Sequence, residues 1–293
     1  MQEPALVVGV SSRALFDLRD ADRIFKEEGL HAYCAHQIEH ERDVLEPGTG
    51  FPLVRKLLEL GRTRVIVTSR NNADTSLRIF NSIEHYGLDI ARAALTSGAP
   101  LPPYLKAFGV DLFLSAEESD VRRALDEGIA AALIYPPTST VNASAELRIA
   151  FDGDAVLFSE ESERIYRREG LARFEDHERQ HARRPLADGP FAKLLRVLAE
   201  LQAQVGGERI RTALVTARSS PAHERVIHTL RAWNVRVDEA FFLGGLPKHE
   251  VLEAFRPHIF FDDHPGYCEA ASRVVPTARV PARVRDQSPK RRR

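Results

Sequence analysis

Thr212-Ala213-Leu214-Val215-Thr216-Ala217-Arg218 and Thr63-Arg64-Val65-Ile66-Val67-Thr68-Ser69-Arg70 are two versions of one pattern. Each is an apolar run of strand length that ends on a hydroxyl and then an arginine. The match extends outward in order. Arg225-Val226-Ile227-His228-Thr229-Leu230 lies on Arg78-Ile79-Phe80-Asn81-Ser82-Ile83, and Leu252-Glu253-Ala254-Phe255 lies on Leu105-Lys106-Ala107-Phe108. Upstream, Asp176-His177-Glu178-Arg179 precedes Phe191 as Glu39-His40-Glu41-Arg42 precedes Phe51. The equivalents stay roughly 140 to 148 residues apart, so the chain reads as an internal duplication.

Each copy alternates short apolar runs with amphipathic ones. In the second, the pattern predicts strands over 148–151, 212–215, 240–243 and 258–261, and helices over 191–204, 221–233 and 248–255. Strands that are apolar on both sides and separated by helices predict an α/β fold with a parallel sheet covered on both faces. The expected organisation is one unit over 1–136 and another over 145–285. Pro136-Pro137-Thr138-Ser139-Thr140 connects them, and a basic tail covers 286–293. The stretch from Pro276 onward has no period and receives no assignment.

Composition narrows the function. The 293 residues carry 41 Lys and Arg against 42 Asp and Glu, a formal net charge of −1. No global field draws the chain to nucleic acid or to an anionic membrane. No run reaches the ~20 apolar residues of a membrane span. Cys34 and Cys268 lie far apart in sequence, which disfavours a disulfide framework and a cysteine zinc site. The expectation is a cytoplasmic protein with neither nucleic acid nor membrane as partner. A dehydrogenase is disfavoured because no Gly-x-Gly-x-x-Gly follows the first strand.

Ligands of such sheets gather outside the carboxyl ends of the strands. That rule singles out Asp152 and Asp154, then Thr216, Ala217 and Arg218, then Asp262 and Asp263. The types suit phosphoryl transfer. Asp152 is the candidate nucleophile and Asp154 the candidate general acid and base. Asp152, Asp154, Asp262 and Asp263 offer the hard oxygens that Mg²⁺ prefers. Thr216, with the neighbouring Ala217 and Arg218, and Lys248 are placed to hold a phosphate.

Asp152-Gly153-Asp154-Ala155-Val156-Leu157-Phe158, Thr216, Lys248 and Asp262-Asp263 resemble the four motifs of the haloacid dehalogenase superfamily. Longer strings are similar to the cytosolic 5'-nucleotidase I family: Val10-Ser11-Ser12-Arg13-Ala14-Leu15-Phe16, Ser69-Arg70-Asn71, Arg78 to Ile90, and Phe151-Asp152-Gly153-Asp154. The resemblance implies two tandem superfamily-like, Rossmann-type three-layer units, a small cap insertion at about 159–190, and Mg²⁺. It also implies hydrolysis of nucleoside 5'-monophosphates, AMP above all, through an aspartyl-phosphate. It assigns the main-chain oxygen of Asp154 to the metal shell.

Laid on the second half, the first is catalytically degenerate: Ser11 falls opposite Asp152, Arg13 opposite Asp154, and Ser115 opposite Asp262. Ser11, Ser12, Arg13, Thr68, Ser69, Arg70 and Asn71 are then expected to form a carboxylate-free site for a second phosphate, from the substrate or from a nucleotide effector, or else merely to cap helices. In the cap, Phe174 and His177 are candidates for contacting the base, although a solvated helix edge is the simpler account of the same residues. Two alternatives stand beside a nucleotidase: a phosphatase for another small phosphomonoester, and a non-catalytic nucleotide sensor. A homo-oligomer is left open.

Overall fold

The computed structural model describes residues 3, 5–136 and 144–282. The connector after Pro136 and the basic tail 286–293 lie outside the described residues. Ten strands form one sheet: β1 (Leu6–Ser11), β2 (Thr63–Ser69), β3 (Arg92–Leu95), β4 (Leu112–Ser115), β5 (Ala130–Ile134), β6 (Leu147–Phe151), β7 (Ile210–Thr216), β8 (Glu239–Phe242), β9 (Ile259–Asp262) and β10 (Thr277–Arg279). The central strands are enclosed on both sides, β4 and β9 along their whole length. Such strands require cover on both faces, and helices pack against them.

The order is β3-β2-β1-β4-β5-β10-β9-β6-β7-β8. Counted from its outer edge, each half runs third, second, first, fourth, fifth. Neighbours are parallel except at one pair, β5 with β10. The expected α/β architecture with a mostly parallel sheet is thus present, and the two halves share that sheet edge to edge.

The join is made by the stretch that shows no period in the sequence. Three residues are too few to display one. Ala278 lies opposite Phe261 of β9 in parallel and opposite Ile134 of β5 in antiparallel register. Because direction reverses there, the carboxyl ends of β1 to β5 and of β6 to β10 face opposite edges of the sheet.

After its first strand, each half carries a helical hairpin. The segment Arg19–Glu39 is interrupted at Gly29 (φ 86°, ψ −177°), and helices Glu161–Glu169 and Leu171–Gln180 meet at Gly170 (φ 82°, ψ 177°). Those dihedrals are open essentially to glycine alone. Side chains repeat at matching places. Phe25 meets Tyr33 edge to face at 5.8 Å, and Tyr166 meets Phe174 at 6.2 Å. His36 pairs with His40 at 4.4 Å, and His177 with His181 at 4.3 Å. The sequence match sets His40 against His177, whereas the ring pairs set His36 there. Histidines spaced four apart let the match slide by one helical turn.

Candidate active site

Asp152 follows β6, and the chain then turns toward β7. A Cβ on Gly153 would stand 3.3 Å from both the Phe158 ring and Thr216 Oγ1, so glycine permits the approach. Ala155 takes the left-handed conformation (φ 60°), and the Phe158 N–H closes the turn on the Gly153 carbonyl at 2.8 Å. The rings of Phe151, Phe191 and Phe261 pack together beneath.

Oxygens of Asp152, Asp262 and Asp263 lie within 4.8 Å of one another. Asp152 and Asp262 are buried, while Asp263 is partly exposed. Lys248 opens the helix Lys248–Phe255 and is itself buried. Its ammonium donates to Asp152 at 2.5 Å and to Asp262 at 2.7 Å. The other oxygen of Asp262 accepts the His264 N–H at 2.8 Å.

Charge in this cluster does not balance. Burial, only partly offset by Lys248, pushes the Asp152 carboxyl up to about 7. Burial, with Asp152 and Asp262 beside it, pushes Asp263 up to about 8. Burial acts to lower Lys248, but Asp152 and Asp262 outweigh it and hold the ammonium above its ordinary value. In an isolated ion pair the acid would move down as the base moves up. Here both move up because burial at Asp152 outweighs the attraction of Lys248, with Asp262 and Asp154 adding their repulsion. A hard divalent cation would supply the missing charge, and the donor set fits one.

The Asp154 carboxylate stands apart from that cluster. Arg218 grips it with two parallel bonds of 2.7 Å, from Nε and Nη2. The remaining Nη1 of Arg218 donates to Glu178, and the guanidinium lies 5.4 Å from the centre of the Phe174 ring. Glu178, on the helix Leu171–Gln180, is fully enclosed. It also accepts from Ser162 Oγ at 2.8 Å and Arg225 Nη1 at 2.9 Å. Burial acts to raise Glu178, and Arg218 with its other partners holds the carboxyl below its ordinary range. A line of alternating charge therefore runs from the half-buried Asp154 through the buried Arg218 and Glu178 to Arg225 on the helix His223–Ala232.

Thr216 ends β7, buried, with its hydroxyl accepting the Arg218 N–H at 3.3 Å. Ala217 beside it is exposed. Arg218, expected to face a phosphate, instead has its guanidinium occupied by Asp154 and Glu178. His177 Nδ1 lies 3.1 Å from Glu178. Sequence reasoning missed the burial of Glu178, because the segment 159–190 is dense in charge and reads as solvated, and with it the part played by Arg225 on the helix His223–Ala232. One signal was available. Phe174 lies four residues before Glu178, which sets the two on one face of the helix.

On the opposite edge of the sheet a cavity of about 570 Å³ opens at the ends of β1, β2 and β4. Ser11, Ser12, Arg13, Thr68, Ser69, Arg70 and Asn71 all line it. Its arginines are engaged: Arg13 with Asp22 at 3.1 Å, Arg70 with Asp120 through Nε at 3.0 Å. Among the described residues no second group of acids, histidines or cysteines gathers at metal-binding distance.

A model of the 5'-nucleotidase family matches residues 1–287. The human protein named cytosolic 5'-nucleotidase 1B is 39% identical over 290 residues, which cover 92% of this chain and 48% of the human protein. The chain spans about half the length of the curated relative it matches.

Proposed function

This chain belongs to the 5'-nucleotidase family, and on that footing we propose that it hydrolyses nucleoside 5'-monophosphates such as AMP with Mg²⁺. The observation that carries the reading is the convergence of Asp152, Lys248, Asp262 and Asp263 at neighbouring strand ends and a helix start, with Asp154 two residues beyond the nucleophile. A phosphomonoester needs just such a nucleophile, charge neutralisation and proton donor.

In this proposal Asp152 attacks phosphorus and the P–O bond to the nucleoside breaks. The leaving alkoxide takes its proton from Asp154, which carries that proton only once the bound substrate has loosened its two bonds to Arg218. Water, deprotonated by Asp154, then splits the aspartyl-phosphate and regenerates Asp152. Lys248 fixes Asp152 and faces the phosphoryl charge, and Thr216 offers its hydroxyl. Mg²⁺, held by Asp152, Asp262 and Asp263, would neutralise the phosphoryl oxygens. Arg218 positions Asp154 rather than binding phosphate.

The halves 1–136 and 145–285 are read as a duplication whose first copy has lost this chemistry. The repeated strand order and the matched bends at Gly29 and Gly170 support that reading. No helix among the described residues is long and apolar enough to cross a membrane, in keeping with the proposed cytoplasmic setting. A panel of nucleoside and sugar monophosphates, assayed for released phosphate with Mg²⁺ and with chelator, tests the function. Preference for sugar phosphates, or release that survives in Asp152→Asn, would overturn it.

A further inference from the structure

We propose that the first-half cavity binds a nucleoside moiety, held by its ring and hydroxyls rather than by a phosphate. The inference rests in part on the proposed function, which makes nucleosides the ring-bearing compounds this chain meets. Its own observations are independent of the catalytic cluster.

The cavity lies beneath the first-half hairpin, in the place the carboxylate cluster takes beneath the second. Phe25, Leu30 and Tyr33 of that hairpin form its apolar wall, with Leu101 also in the lining. Phe25 and Leu30 are 48% and 65% exposed, uncovered apolar groups at the rim. The edge-to-face pair Phe25–Tyr33 repeats Tyr166–Phe174 of the cap, and Phe174 stands over the guanidinium that grips Asp154. The aromatic pair is therefore present in both halves, while the carboxylate cluster is present in one.

The floor is built from hydroxyls at strand ends. Ser12 and Ser69 approach each other at 3.4 Å, and Asn71 donates to the Tyr33 hydroxyl at 2.6 Å. Thr68 is fully buried in this lining, and its hydroxyl makes no hydrogen bond. A buried hydroxyl without a partner is costly, and a polar ligand atom would relieve it.

Charge argues against a bare anion. Arg13 and Arg70 are the cations of the lining, each paired to an acid, and Glu117 adds a third carboxylate beside Asp22 and Asp120. A phosphate would have to pull Arg70 from Asp120 to gain a cationic partner. A ring with sugar hydroxyls requires no such exchange, and it suits a largely apolar pocket with a few convergent polar groups. The ligand is not part of the substrate in the catalytic half, since the two sites open on opposite edges of the sheet.

Amide hydrogen exchange on the full Asp152→Asn chain, with adenosine, AMP or inorganic phosphate as probe, tests the proposal. Adenosine should slow exchange in 11–25 and 68–72, AMP should do so no more strongly, and phosphate alone should not. Phe25→Ala, at a half-exposed position that tolerates truncation, should weaken the first-half effect by about tenfold, and Leu30→Ser should weaken it as well. Protection confined to the second half would overturn the proposal, and so would first-half protection by phosphate alone. AMP hydrolysis by the unmodified chain is the separate control. If hydrolysis is present without first-half protection, only this inference fails; if hydrolysis is absent, the proposed function fails.

Discussion

Arg218 and Asp154 meet as two forks, each carboxylate oxygen 2.7 Å from one guanidinium nitrogen. The geometry leaves the acid little rotational freedom, and Glu178 fixes the arginine from behind. Glu178→Gln should therefore lower kcat by ten- to a hundredfold with little change in KM, since small displacements at a reacting group cost about that much. Glu178→Asp should restore part of it. Removing one charge from a buried pair should also cost about 3–5 kcal/mol of stability, read by thermal melting. A lower Tm with an unchanged kcat would reduce Glu178 to a structural role.

Metal dependence should vary with pH. The Asp152 and Asp263 carboxyls are raised in the folded chain, to about 7 and about 8. Their stabilisation is complete below the ordinary carboxylate range and is lost as pH rises through those values. The metal-free chain should accordingly lose stability between about pH 4 and about pH 8. Protons compete with the cation at the lower end, so the rise in Tm on adding Mg²⁺ should be larger at pH 8.5 than at pH 6. Asp263→Asn should flatten the metal-free slope.

Lys248→Met leaves three carboxylates without their ammonium. Loss of about 3–5 kcal/mol is expected in chelator, with partial recovery in Mg²⁺, because the cation replaces the missing charge. A recovery no larger than that of the unmodified chain would count against a metal at this cluster.

His258 sets a separate acid limit. Burial holds its imidazole down to about 4, and its Nδ1 accepts the Arg148 N–H at 3.1 Å, which requires the neutral ring. A base lowered in the folded state costs nothing above about 6.5, and its penalty grows as pH falls from there toward 4. The full effect is roughly 3 kcal/mol. Melting curves of His258→Asn should show lower stability at pH 7 and a shallower fall between pH 6.5 and pH 4.

The hairpin bends are open to glycine alone. Gly29→Ala and Gly170→Ala should each cost about 1–3 kcal/mol. The loss of kcat should be greater for Gly170→Ala, which shifts the helix carrying Glu178.

What could be read beforehand follows from how each feature is encoded. Strands such as Thr212 to Thr216 are continuous apolar runs, and Asp152, Asp262 and Lys248 sit where those runs and helices begin or end, so local pattern sufficed. Strand β10 is three residues long, and its position depends on β5 and β9, both remote in sequence. The partners of Arg218 were hidden for a related reason. Its placement after β7 suggested a phosphate, but Glu178 reaches it only because the bend at Gly170 folds a charge-rich helix inward. Burial of a charge is decided by tertiary contacts that periodicity does not carry.

The reversal at β5 and β10 has one more consequence. A compound on one edge of the sheet and a substrate on the other never touch, so any influence between them must pass through the body of the protein, by the strands and by the helices that cross from one half to the other. Such influence is reciprocal: whatever factor occupancy of one edge imposes on affinity at the other is returned in equal measure. The seam of Ala278 with Ile134 is one route between the two ends of this protein, and the helices Phe51–Glu59 on β6 and Ala192–Val205 on β1 are others.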